Sequence, residues 1–181
     1  VVGLKPTYGR VSRFGAFPLA ASLDHIGPMT RTVPDAARML GVIAGLDPRD
    51  PSSSSLAIPN YVAAQSQSLQ GIELAVDWQY TESGVDPIVC QVIRNAIERC
   101  VQLGATVREV VLPVEYHVLV NKWIITCARE CAQAHALYFP AQRSDYGPVL
   151  AGLLDLGLSV SQKAYDDVEL VRNRFRAELD I

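Results

Sequence analysis

At 181 residues, with 49% hydrophobic and 19% charged side chains and a formal net charge of -3, the sequence has the composition of a folded globular domain with a sizeable core. The acidic balance speaks against a nucleic-acid partner, and no apolar run reaches the roughly 20 residues that cross a bilayer. The first residues carry neither the basic start nor the small-residue cleavage site of a signal peptide, so the expectation is a cytoplasmic protein with no membrane partner.

Residues 1–31 read as short strands and turns (VVGLKPT, GRVSRFG, FPLAASLDHIGPM), a backbone-dominated surface punctuated by glycine and proline. At TRTVPDAARMLGVIAGLDP the pattern becomes helical. Thr32 is placed to cap, Asp35 follows three residues on, and Pro34 suits a first turn. Val33, Ala36, Ala37, Leu40 and Ile43 then recur at helical spacing until Gly45 stops the run. The polar stretch DPRDPSSSSLAIPNYVAAQSQS reads as an exposed connection crossing the surface.

Beyond it, GIELAVD alternates as a strand, and VDPIVCQVIRNAIERCVQLG is a helix capped by Asp86 and stopped at Gly104. ATVREVVLP is a second strand. This strand-helix-strand unit should hold parallel strands joined by a right-handed crossover, with Val89, Val92, Ile93, Ala96, Ile97, Cys100 and Leu103 on one apolar helix face. The last third reads as helical throughout: VLVNKWIITCARECAQAHALYF, YGPVLAGLLDLG and SVSQKAYDDVELVRNRFRAELDI, the last with Tyr165, Val168, Val171, Phe175 and Leu179 on its apolar face.

The four cysteines, Cys90, Cys100, Cys127 and Cys131, lie in apolar helical contexts and read as small core residues in a reducing compartment. The loop WQYTESG after the first of the paired strands has no glycine-rich nucleotide fingerprint, which leaves Asp77 and Glu82 as solvated loop charges. SLDHIGP sets a hydroxyl, a carboxylate and an imidazole within four residues: Ser22, Asp24 and His25. Such a group can line a cleft, or Ser22 and Asp24 can tie down a tight turn through side-chain to backbone hydrogen bonds, and the second reading weighs more. His135 reads as a packing residue, and His117 carries no signal. There is no GxSxG elbow and no Gly-Gly pair, and the only lysines are Lys5, Lys122 and Lys163.

KPTYGRVSR, SLDHIGPMTRTVPDAA and IAGLDPRDP, in this order, closely resemble the amidase signature family, and the likeness continues more loosely through LQGIELAVD, the ECAQAH helix and SDYG. The resemblance implies an α/β, partial amidase-signature fold: a mixed β-sheet core flanked by helices, with a helix-rich C-terminal part. It divides the chain into a core segment (1–58), a connection (59–70), the strand-helix-strand unit (71–113) and a helical substrate-pocket region (114–181). Members of this family hydrolyse carboxamide C–N bonds through a serine acyl-enzyme, using a second serine on a cis peptide and a lysine base, with no metal or organic cofactor. In the family those three residues precede the KPT region, so the resemblance implies no catalytic residue in this chain; Lys5, Ser12 and Ser22 do not match them.

Ser22, Asp24 and His25 match a loop packed near the family's catalytic loop and are candidate cleft or support residues, with Gly27 and Pro28 shaping the turn. The partners implied are a small-molecule amide and either the remainder of an amidase or a second copy. Three readings follow: part of a general amidase, favoured by the ECAQAH helix and SDYGPVLAGLLDLG; part of the glutaminase subunit of a tRNA-dependent amidotransferase; or a non-catalytic scaffold.

Overall fold

In the computed structural model, which describes residues 1–65, 68–113 and 115–179, the chain forms two units: Val1–Gln65 with His117–Arg174, and Ser66–Tyr116 with Phe175–Ile181. Within the 59–70 connection, residues 66 and 67 lie outside the described residues.

The first unit opens with β1 (Val2–Gly3), which pairs antiparallel with β2 (Met29–Thr30) in the register Val2↔Thr30 and Gly3↔Met29. Helix α1 (Val33–Ile43) starts where the sequence places it. Thr32 is extended and its hydroxyl accepts the Asp35 N–H, while Pro34 sits in the first turn, where its missing N–H costs nothing. Ala44 then turns extended and bridges Val11, and Gly45 follows at φ 134°, a backbone that side-chain-bearing residues avoid. Val11, Leu40 and Ala44 form a small core with Ile26, Ile43 and Tyr61 packed on it.

Residues 47–61 run along the surface, with Ser55–Asn60 exposed, and are fastened there by polar contacts. Arg10 donates from Nε to the Tyr61 hydroxyl (2.7 Å) and from its Nη atoms to the carbonyls of Leu56 (3.0 Å) and Ala57 (2.5 Å). Asp50, only 6% exposed, accepts the Arg13 N–H (2.7 Å) and both the N–H and hydroxyl of Ser52. Those donors hold its carboxyl below the ordinary range. The segment is polar because its polar groups are the fastening.

Helix α4 (Glu115–Ala134) ends five residues before the sequence reading places its stop at Phe139. Pro140 restricts only its neighbour Phe139; the chain leaves the helix before that, in turns where the N–H groups of Tyr138 and Phe139 donate to the His135 carbonyl at 2.9 Å. Helix α5 (Pro148–Ser159) packs on α4 so closely that a Cβ added at Gly157 would lie 2.0 Å from the Ala128 carbonyl oxygen. Cys131, Ala132, Phe139, Ala151 and Leu154 form the second core cluster, and α6 (Gln162–Leu179) adds buried Val168. All four cysteines are free thiols; Cys127 and Cys131 are buried, which pushes their thiols up.

In the second unit β3 (Glu73–Val76) and β4 (Thr106–Glu109) pair in parallel, Glu73 opposite Thr106, around α3 (Pro87–Gln102), which Asp86 caps. WQYTESG is not a loop: Trp78–Glu82 forms a short helix, α2, because Asp77 caps it, accepting the Tyr80 N–H at 2.9 Å. Asp77 is therefore buried, 8% exposed, and its other oxygen accepts the Leu112 N–H at 2.7 Å. Glu82 is paired with Arg94. Nor is the apolar face of α3 covered over its full width. Ile93, Ile97, Cys100 and Leu103 are half-buried, whereas Val89, Val92 and Ala96 are exposed, since two strands cover only a narrow strip of a helix.

Two substitutions test the α4–α5 contact by urea unfolding. Leu154→Ala, at a fully buried side chain, should cost about 2–5 kcal/mol. Gly157→Ala should cost about 1–3 kcal/mol by overpacking against α4, although alanine is the better helix former.

Candidate functional site

The loop bearing Ser22, Asp24 and His25 is built from side-chain to backbone hydrogen bonds. Asp24 accepts the N–H groups of Leu19 (2.9 Å) and Ala20 (3.1 Å), and the N–H groups of Leu23 and Asp24 both donate to the Ala20 carbonyl at 2.8 Å. Gly27 follows where a Cβ would lie 2.0 Å from the Leu4 carbonyl oxygen, and Leu4 N–H donates to Pro28 O at 3.0 Å. The structure thus brings the loop's exit against the chain's first residues.

His25 Nδ1 lies 2.6 Å from the Leu23 carbonyl. A carbonyl only accepts, so Nδ1 carries the proton and Nε2 is left as an acceptor, 3.4 Å from Lys5 Nζ. The ring of Tyr8 meets that of His25 edge-on at 5.5 Å, and its hydroxyl donates to the Ala21 carbonyl at 2.8 Å. Arg13 completes the frame. It lies over the Tyr8 ring at 4.7 Å, donates to the Tyr8 and Ser52 hydroxyls at 2.7 Å each, and also donates to the Ala21 carbonyl.

Ser22 faces a different set of groups. Its N–H and hydroxyl donate to the two oxygens of Glu130 at 2.7 and 2.6 Å. Arg172 donates to the Ser22 Oγ (2.7 Å) and carbonyl (2.8 Å) and pairs with Glu169 at 3.2 Å. The Tyr165 hydroxyl donates to Glu130 at 2.8 Å, and burial together with that bond pushes the phenol above its ordinary range. Glu130 is 6% exposed.

Glu130, Tyr165, Arg172 and Arg13 carry this architecture, and sequence reasoning missed all four. A signal existed for Glu130: a carboxylate flanked on its helix by Cys127, Ala128, Cys131 and Ala132 cannot face water and must find donors. His135, 7% exposed, stacks on Phe17 with ring centres 4.5 Å apart and pairs through Nδ1 with the Tyr146 hydroxyl at 2.9 Å. It does not pair with Glu130. Ser12 donates to Asp47 at 2.9 Å, and Asp47 is held well below the ordinary carboxylate range, chiefly by Arg49. Lys5, Ser12 and Ser22 thus each face a different partner. Among the described residues no cluster of three His, Cys, Asp or Glu could hold a metal ion, and no helix is long and apolar enough to cross a membrane.

The family model for amidases matches residues 1–173. The chain belongs to the amidase family. Among curated relatives, a glutamyl-tRNA(Gln) amidotransferase subunit from Geobacillus sp. (strain WCH70) is 45% identical over 146 residues, covering 81% of this chain and 30% of the relative. The protein of the same description from Trichlorobacter lovleyi is 43% identical over 155 residues, covering 86% and 32%. The chain therefore spans about a third of the length of these relatives. The corresponding glutamyl-tRNA(Gln) amidotransferase subunit from Thermotoga maritima, a solved structure, superimposes with a TM-score of 0.76 at 27% identity, over 97% of this chain and 38% of that one. A structure described as a vestigial protein complex that reveals the origins of an s-triazine catabolic enzyme gives 0.80 at 26% identity, over 98% and 38%. This amidase-family chain accordingly has a mixed α/β fold that forms part of the amidase-signature fold.

Two outcomes are expected. Glu130→Ala strands the Ser22 N–H, the Ser22 hydroxyl and the Tyr165 hydroxyl without an acceptor and should cost about 3 kcal/mol, more than Tyr165→Phe, when both are measured by denaturant unfolding. Burial lowers the His135 pKa below its ordinary value of 6.5. The unfolded chain then binds a proton that the folded one refuses, so stability is complete above pH 6.5 and falls as pH drops below it. Thermal melts from pH 7.5 to 5 should show this slope, and His135→Gln should flatten it.

Proposed function

We propose that these residues form part of an enzyme that hydrolyses carboxamide C–N bonds through a serine acyl-enzyme. The observation that carries this reading is the amidase family match over residues 1–173. In that chemistry a serine oxygen adds to the amide carbonyl, the tetrahedral oxyanion collapses with loss of ammonia or an amine, and water releases the acid and frees the serine. The base and nucleophile lie outside the 181 residues. Lys5 approaches His25, Ser12 donates to Asp47, and Ser22 is held between Glu130 and Arg172, so neither of these serines pairs with this lysine.

In this reading Asp24 orders the backbone of the loop, Ser22 ties the loop to α4 and α6, and His25 borders the cleft with Nε2 turned toward Lys5. The substrate is a small-molecule amide, the location is cytoplasmic, and no cofactor takes part.

A second reading has its own support. Curated relatives 43–47% identical to this chain are described as subunits of glutamyl-tRNA(Gln) amidotransferase. Under it the protein releases ammonia from glutamine for a tRNA-bound acceptor and works beside other proteins of a complex. The same tests separate the two. Produced from its complete reading frame, the protein should release ammonia from simple carboxamides; release from glutamine only in the presence of charged tRNA and partner proteins would favour the second reading. The 181 residues alone should give no turnover. Turnover that persists through Ser12→Ala, Ser22→Ala and Lys5→Ala would overturn the placement of the nucleophile and base outside them.

A further inference from the structure

Two neighbours of His25 select the same tautomer of its ring. The Leu23 carbonyl, 2.6 Å from Nδ1, can only accept, and the Lys5 ammonium, 3.4 Å from Nε2, can only donate. Free histidine in water prefers the opposite form, with the proton on Nε2. Which form a protein holds is set by the hydrogen bonds made to the ring, so the position of the Leu23 carbonyl decides it here.

That carbonyl belongs to the second of two successive peptide groups, and both are pinned. In the first, the Ser22 carbonyl accepts from Arg172 at 2.8 Å, and the Leu23 N–H donates to the Ala20 carbonyl at 2.8 Å. In the second, the Leu23 carbonyl takes the His25 proton, and the Asp24 N–H donates to the same Ala20 carbonyl at 2.8 Å. A peptide group is planar, so a bond on its N–H side sets the direction of its carbonyl. Ala20 is itself fixed, 1% exposed, with its N–H on the Asp24 carboxylate at 3.1 Å.

The grip on Ser22 comes from far away in sequence. Glu130 on α4 takes the Ser22 N–H and hydroxyl at 2.7 and 2.6 Å, and Arg172 on α6 donates to the Ser22 hydroxyl at 2.7 Å. Tyr165 donates to Glu130 at 2.8 Å and so holds the carboxylate in turn. Two helices therefore hold Ser22 by its N–H, its hydroxyl and its carbonyl, next to the residue whose carbonyl selects the His25 tautomer.

We infer that Glu130 and Arg172 are positioning residues for His25: acting through Ser22 and the Leu23 carbonyl, they keep its proton on Nδ1 and leave Nε2 as an acceptor for an N–H or O–H of a ligand at the cleft. The use of that acceptor rests on the amide-hydrolase reading; the coupling from α4 and α6 to the tautomer does not. Lys5 is exposed, with no carboxylate partner among the described residues, and is the group that a ligand displaces from Nε2.

The test uses the protein from its complete reading frame, with histidine labelled at both ring nitrogens for NMR and His25→Gln to assign the His25 signals. In alkaline buffer, where imidazoles are neutral, His25 should show a protonated Nδ1 and an unprotonated Nε2. Glu130→Ala should lower the ratio of the Nδ1–H to the Nε2–H form about fivefold or more, and Ser22→Ala about threefold. Glu130→Gln, which keeps an acceptor oxygen for Ser22, should fall between wild type and Glu130→Ala. The His135 signals, from a ring partnered by Tyr146, should stay in place. If Glu130→Ala fails to fold, Ser22→Ala decides alone.

Where carboxamides are turned over, kcat/KM supplies a second readout. Ser22→Ala should lower it about tenfold, and should lower it no further in a His25→Ala background, because a residue that acts through another has no effect once the other is gone. An unchanged His25 tautomer in Ser22→Ala overturns the inference, as do a shift shared by His135 and losses from Ser22→Ala and His25→Ala that multiply. Failure of the functional reading is distinct. A tautomer shift in a protein that hydrolyses no amide overturns the hydrolase and leaves the positioning of His25 standing.

Discussion

The first unit depends on one buried carboxylate. Glu130 accepts three hydrogen bonds, two from Ser22 and one from Tyr165, and so fastens a turn-rich loop to α4 and α6 from residues 108 and 35 positions away in sequence. Hydrogen bonds to a charged group contribute about 1.5–3 kcal/mol each, and the loss of such an acceptor from the interior is costlier still because its donors are left dry. Arg172 closes the arrangement by donating to the Ser22 hydroxyl and carbonyl. The Ser22 hydroxyl therefore acts as donor and acceptor at once, which fixes its rotor. A loop that buries few of its apolar residues gains its definition from this polar clamp.

A second fastening of the same kind runs along the other side of the loop. Arg10 and Arg13 reach from the first turns to residues 50–61, and Asp50 returns the contact by accepting the backbone of Arg13. Long guanidinium side chains suit this task because each offers five donors in a fixed plane. The loop from Arg13 to Ile26 is thus held from both sides by charged groups whose partners are mostly backbone carbonyls and hydroxyls. The hydrophobic cores of this unit are separate clusters, one around Leu40 and one around Leu154.

What was legible in the sequence was local. Thr32 and Asp86 announced α1 and α3 because a cap acts on N–H groups two or three residues away, and Gly104, at φ 104°, marked a stop for the same local reason. The motifs from KPTYGRVSR to IAGLDPRDP made the family legible, and the family match over residues 1–173 agrees. What was not legible depends on distant partners. Asp77 looked like a solvated charge because nothing near it in sequence shows that the Leu112 N–H, 35 residues on, will meet it. Glu130 is the same case over a longer span, and the cluster around Ser22 could be seen in SLDHIGP only as three residues in a row. The helix boundary at Ala134 is not legible because apolar periodicity carries on through Phe139, past the point where the backbone turns at His135.

The exposed apolar surface carries the last step. In the second unit Ile88 is 75% exposed, Val92 61% and Val111 86%, around a sheet of two parallel strands. Parallel strands normally have both faces covered, and a two-stranded sheet is marginal alone in water. In the first unit β1 and β2 likewise form a two-stranded pair, with Met29 78% exposed. Each two-stranded sheet thus has large apolar side chains exposed in it or beside it. The Arg13–Ile26 loop is thus defined by polar fastening, whereas the two-stranded sheets, with few apolar partners to cover them, leave aliphatic side chains in water.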